Sequence, residues 1–271
     1  GWNPIGDDSN PFAGIFNGNG YAVRNLWIDR STNFVGLFGY ALNAKIRNLG
    51  VEINNSNGGV KGAEYVGAIA GYVDNSFITD SYSTGEVSGI YYVGAIAGDI
   101  SYSSITNSYS KGNIGGYAYV GGIAGAVYYD SSITNSYSTG NVSGDTYVGG
   151  IAGDIYLSTI ENNAAINKEV NGSSDVNRIV GYISGGSVQN NFALDTMTTN
   201  LGSFSNAGVS SYHGTSKTND NDGLKSQSTY DGVINGDGNG GLGWKFGNDD
   251  ENPWKIDAIK HDGYPYLYWQ K

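Results

Sequence analysis

The chain has 271 residues, with 44 glycines, 22 tyrosines, four prolines, no cysteine and a net charge of −11. That charge excludes the basic footprint a nucleic-acid partner requires, and 14 Lys plus Arg are too few to hold an anionic membrane. No apolar run reaches membrane-spanning length, so no membrane insertion is expected, and the absence of cysteine excludes disulfide stapling.

In chain order, Gly1 to about Asp29 is expected to form an entry coil and an N-terminal cap. The array that follows is the dominant feature. Tyr65-Val-Gly-Ala-Ile-Ala-Gly71 recurs at Tyr92, Tyr119 and Tyr147, at spacings of 27, 27 and 28 residues. A second block follows each copy: Ile78-Thr-Asp-Ser-Tyr-Ser83, Ile105-Thr-Asn-Ser-Tyr-Ser110 and Ile133-Thr-Asn-Ser-Tyr-Ser138. A third begins at Gly85, Gly112 and Gly140. Self-similarity at this period means stacked supersecondary units. No leucine lies between Tyr65 and Tyr156, which excludes leucine-rich and helical repeats.

Three short strands per repeat, separated by Gly, Asn and Ser, suit one turn of a parallel β-solenoid. Alternation in the second block predicts Ile78, Asp80 and Tyr82 facing in and Thr79, Ser81 and Ser83 facing out. The same pattern starting near Val23, Ile46, Ile78, Ile105, Ile133, Ile160 and Val188 predicts seven coils. At about 4.8 Å per coil the rod is roughly 30 Å long before its caps. Asn25, Asn48, Asn107, Asn135, Asn162 and Asn190, with Asp80 as the exception, are read as an inward amide ladder running from coil to coil. The tyrosines of the second block are read as stacked core rings.

Tyr65-Val-Gly-Ala-Ile-Ala-Gly71 followed by Ile78-Thr-Asp-Ser-Tyr-Ser-Thr-Gly85 resembles the GLUG motif repeat. The opening Trp2-Asn-Pro-Ile-Gly6 and the closing Gly263-Tyr-Pro-Tyr-Leu-Tyr-Trp269 are similar to the entry and exit segments of such arrays. The motif occurs in large bacterial and archaeal surface proteins, including adhesin-like proteins and regions beside some immunoglobulin-A-cleaving metallopeptidases. The resemblance implies a β-solenoid at the cell surface and carries over no catalytic residue. The expected fold is therefore all-β, a right-handed parallel β-helix with N- and C-terminal caps. Residues 1–193 would form the solenoid, and 194–271 an irregular loop region and an aromatic C-terminal cap. The opening on Gly1-Trp2-Asn3-Pro4 reads as a piece of a longer extracellular or surface chain.

Candidate chemistry is sparse. Asp99 and Asp154 hold the same offset two coils apart, about 9.6 Å by strand spacing, near the separation used by an inverting glycosidase. They are read as solvated turn residues, with a polysaccharide-acting β-helix enzyme as the alternative. Asp220 and Asp222, in Asn219-Asp-Asn-Asp-Gly223, have the oxygen density of a Ca²⁺ loop but lack the usual flanking acids. The three rows Thr79/Ser81/Ser83, Thr106/Ser108/Ser110 and Thr134/Ser136/Ser138 would form an outward hydroxyl grid suited to ice or a glycan. Tyr102, Tyr128, Tyr129 and Tyr156 fall in turns, where exposed rings would serve as stacking platforms for a glycan or a cell-surface protein. The expected role is non-catalytic adhesion or surface scaffolding, with end-to-end or lateral self-association open to a rod of this kind.

Overall fold

The computed structural model describes residues 1–204, 212–220, 223–232 and 241–270. Within these the chain winds as an all-β parallel solenoid, and its six-stranded walls correspond to about six turns. One full coil runs Tyr91–Gly94, Ala97–Ser101, Ser104–Thr106, Tyr109–Lys111 and Ile114–Gly115, five short strands where the sequence suggests three. Stacking is in register, with Ile46, Ile78, Ile105, Ile133, Ile160 and Val188 paired one above the next. These residues, with columns such as Val66–Val93–Val120–Val148 and Ile69–Ile96–Ile123–Ile151, fill the lumen.

The N-terminal register differs from expectation. Phe16, not Val23, pairs with Ile46, and Val23 pairs with Val51. The strand Ile15–Leu26 is unusually long and shifts register between Asn17 and Tyr21, so Asn25 falls out of the asparagine column.

The extra strands arise because each coil bends at three residues in the left-handed region. In one coil these are Tyr92 (φ 56°), Tyr102 (φ 50°) and Asn107 (φ 49°). Asn48, Asp80, Asn135, Asn162 and Asn190 repeat the third corner. Asn and Asp adopt this conformation more readily than other residues with a Cβ, which is why they recur here. A bend residue also resets the alternation. Ile105 faces in and Thr106 out, Asn107 turns the corner, and Ser108 faces in again.

Two expectations fail for that reason. The hydroxyl grid does not exist, since Ser81, Ser83, Ser108, Ser110, Ser136 and Ser138 are buried and only the threonine column keeps its outward place. The asparagines are corner residues, and Asn107 and Asn135 are half-buried, not inward. A side-chain link survives in part, as Asn107 Nδ2 donates to Asp80 Oδ1 at 3.1 Å.

The buried polar ladders are made of serine. Ser103 Oγ accepts from the Ser76 N–H at 3.0 Å and donates to the Ser101 carbonyl at 2.7 Å. Ser131 and Ser158 continue this column. A second column links Ser81, Ser108, Ser136, Asn163 and Asn191 in the same way. Each hydroxyl satisfies the orphan N–H of the coil before it and the carbonyl its own corner releases, which burial requires.

The aromatic C-terminal segment does not close the far end. That end is met by Thr215–Lys217, which pairs with Phe192–Leu194, and by Arg178, which donates to Gly214 O and Ser216 Oγ. The aromatic segment instead runs back along the flank. Tyr82, Tyr109 and Tyr137 stack at 5.1 and 4.9 Å and point away from the lumen. Trp269 stacks on Tyr82, Trp254 packs on Tyr109 and Tyr137, and Trp244 Nε1 donates to Asn162 O at 2.7 Å. The tyrosine column is buried, as expected, but beneath a strap and not in the solenoid core.

Candidate binding surface

The second bend leaves rings on the outside of the rod. Tyr102, Tyr129 and Tyr156 are 56%, 43% and 37% exposed, the largest aromatic exposure along that corner. Tyr102 and Tyr129 lie face to face at 5.5 Å, and Tyr156 meets Tyr129 edge-on at 5.5 Å. The edge-on contact has a local cause. The coil containing Tyr129 carries a second left-handed residue, Asp130 (φ 54°), so Tyr156 registers with Tyr128, and Leu157 takes the bend position of Tyr102. Leu157 is itself exposed beside the rings.

Tyr128 does not join this platform. Its hydroxyl donates to Asp154 Oδ2 at 2.6 Å, and the side chain is half-buried. Burial and the neighbouring Asp154 carboxylate both raise its pKa.

Asp99 and Asp154 are not solvated turn residues, because each sits within a strand, Ala97–Ser101 and Ala152–Tyr156, and is buried. Their column reads Tyr40, Tyr72, Asp99, Ala126, Asp154, Tyr182 through the stack. A second aromatic column, Phe34, Tyr65, Tyr92, Tyr119 and Tyr147, stacks beside it at 4.6–5.1 Å. Ser101 Oγ donates to Asp99 Oδ1 at 3.3 Å. Burial pushes the Asp99 carboxyl up to about 7, and burial raises Asp154 as well. The two acids are aligned but covered by tyrosine, and Tyr128 already occupies one of them.

Of the two calcium candidates, Asp220 accepts from Thr218 Oγ1 at 2.9 Å and from the Gly223 N–H at 2.9 Å. Asp222 lies outside the described residues. Among the described residues no three His, Cys, Asp or Glu side chains gather as metal ligands would.

Residues 116–143 match the family model of the GLUG motif. That repeat is a GLUG motif. The copies at Tyr65, Tyr92 and Tyr147 carry the same pattern, so the GLUG unit corresponds to one solenoid turn. A protein of Evansella cellulosilytica named "Putative Gly-rich membrane protein" is 49% identical over 51 residues. The match covers 18% of this chain and 6% of that protein, so the chain spans a small fraction of the relative's length. The crystal structure of "a putative immunoglobulin A1 protease" from Bacteroides ovatus matches at a TM-score of 0.69 and 23% identity. The likeness covers 94% of this chain and 77% of that one, and it is a likeness of fold. No helix among the described residues is long and apolar enough to cross a membrane.

Proposed function

We propose that this GLUG-repeat solenoid is a non-catalytic adhesion or surface-scaffold module of an extracellular or cell-surface protein. It recognises a glycan or a surface protein through Tyr102, Tyr129 and Tyr156. The observation that carries the reading is the exposure of three rings in mutual contact, two face to face and the third edge-on, on a corner whose backbone is fixed by the coils above and below. Rigid rings offer large contact area at small entropic cost, which recognition surfaces exploit. The name of the Evansella relative agrees with a location at the cell envelope.

The name of the Bacteroides neighbour favours an enzyme, and the aligned acids Asp99 and Asp154 are the residues such a reading would use. Their burial and the bond from Tyr128 to Asp154 weigh against it, since a reacting group must reach its substrate. Glycan and cell-surface arrays probed with the wild type and the Tyr102→Ala/Tyr129→Ala/Tyr156→Ala variant test the proposal. Binding is expected to fall at least about tenfold in the variant with the melting temperature unchanged. Turnover of a polysaccharide or protein by the wild type, lost in Asp154→Asn, would replace adhesion with catalysis.

A further inference from the structure

A cleft opens where the C-terminal strap meets the N-terminal strand Ile15–Leu26, on a different side chain set from the tyrosine corner. Its volume is about 400 Å³, within the range of small-ligand sites. Tyr21, Arg24, Glu52, Tyr82, Trp269 and Gln270 line it. Part of the lining is aromatic. Trp269 stacks on Tyr82 with ring centres 5.6 Å apart, and Tyr21 stands 73% exposed at the mouth. Gly20, at φ +77°, lets Trp269 pack directly on the backbone, where a Cβ would come within 3.3 Å of the Trp269 Cβ and 3.6 Å of its indole.

The rest of the lining is polar and oriented. Glu52 accepts from Tyr82 Oη at 2.9 Å through one carboxylate oxygen and pairs with Arg24 Nε at 3.2 Å through the other. That arrangement fixes the carboxylate and leaves lone pairs on it, while the terminal nitrogens of Arg24 remain as donors. Arg24 is largely exposed, so the pair adds little stability by itself. Gln270 donates to Tyr109 Oη, which orients its amide beside the same space.

We infer that this cleft binds a neutral polysaccharide chain through one or two pyranose rings. A pyranose has apolar C–H faces that lie against aromatic rings and a rim of hydroxyls that both donate and accept. The cleft presents both kinds of surface. An anionic polymer is disfavoured, because Arg24 is already paired with Glu52, burial lowers the pKa of the lining His261, and the chain as a whole carries −11. The site stands independently of the tyrosine corner, and either could exist without the other.

The experiment titrates the full chain with cellohexaose, xylohexaose, mannohexaose, chitohexaose and, as the charged control, hexagalacturonate, by calorimetry and tryptophan emission. At least one neutral hexasaccharide is expected to bind and to change the emission of Trp269. Tyr21→Ala and Arg24→Ala should each weaken that binding about tenfold or more without lowering the melting temperature, since both side chains are largely solvent-exposed. The Tyr102→Ala/Tyr129→Ala/Tyr156→Ala variant should bind the same sugar unchanged. No binding by any neutral member at millimolar concentration would overturn the inference, and so would preference for hexagalacturonate. Binding that survives Tyr21→Ala and Arg24→Ala but is lost in the triple variant would transfer the sugar to the tyrosine corner.

Discussion

Asp99 shows how a single residue can report the packing around it. An acid inside one column of the stack and beside an aromatic one loses hydration, so the neutral form is favoured and the carboxyl is pushed up to about 7. Asp80, at a corner, is raised to about 6 by burial, and Asp154 is raised in the same direction. A pKa higher in the folded than in the unfolded chain means the native state holds more protons between the two values. Stability from this source is therefore full below about pH 4 and falls as pH rises, reaching its lower plateau above about 7. The melting temperature, apart from the general loss of stability in acid, should drop across that window. Asn at position 99 keeps the shape and cannot ionise. Asp99→Asn is expected to stabilise the rod at pH 8 by on the order of 1–3 kcal/mol and to flatten its pH dependence. Thermal melts at pH 5 and pH 8 check this, and an equal difference between the two pH values in wild type and variant would mean that Asp99 titrates elsewhere.

At the level of strands and corners, the period and the isoleucine column were legible because lumen residues cannot vary when each coil sits on the next. The serine phase was not, since simple alternation has no term for a left-handed corner. One Asn at φ 49° moves Ser108 from the predicted outside to the inside. The Val23 register was misread for a related reason, a shift within a strand whose ends both look regular. The corners also set the stabilising polar contacts. Ser103→Ala removes the acceptor of the buried Ser76 N–H and the donor to Ser101 O, so it should cost about 1–3 kcal/mol. Thr106→Val, on the outward column of the strand Ser104–Thr106, should stay within about 0.5 kcal/mol. Denaturant unfolding of both variants measures the difference, and similar losses would contradict the serine ladder.

Across the whole molecule, the strap solves a problem that a tyrosine column creates. Three stacked rings on the outside of a rod form a continuous apolar strip, and exposed strips of that kind promote association. Trp244, Trp254 and Trp269 cover it, yet their positions say only that an aromatic cluster exists; whether it covers an end or a flank depends on contacts up to 161 residues apart, such as Gln270 to Tyr109. The cleft beside Trp269 was hidden in the sequence for the same reason, because Tyr21, Glu52, Tyr82 and Gln270 meet only after the strap is laid down. Trp254 is fully buried against Tyr109 and Tyr137, so Trp254→Ala should cost about 3–5 kcal/mol, and that loss falls on the strap more than on the coils. Coil packing does not depend on it, since each turn contacts its neighbours directly. The variant is therefore expected to keep its far-ultraviolet circular dichroism, to be cut first by protease in the 241–270 segment, and to associate laterally as concentration rises. Sedimentation velocity and limited proteolysis read both effects. A variant that stays monomeric with its strap released would show that the uncovered tyrosines do not attract a second rod, and that the strap serves the cleft alone.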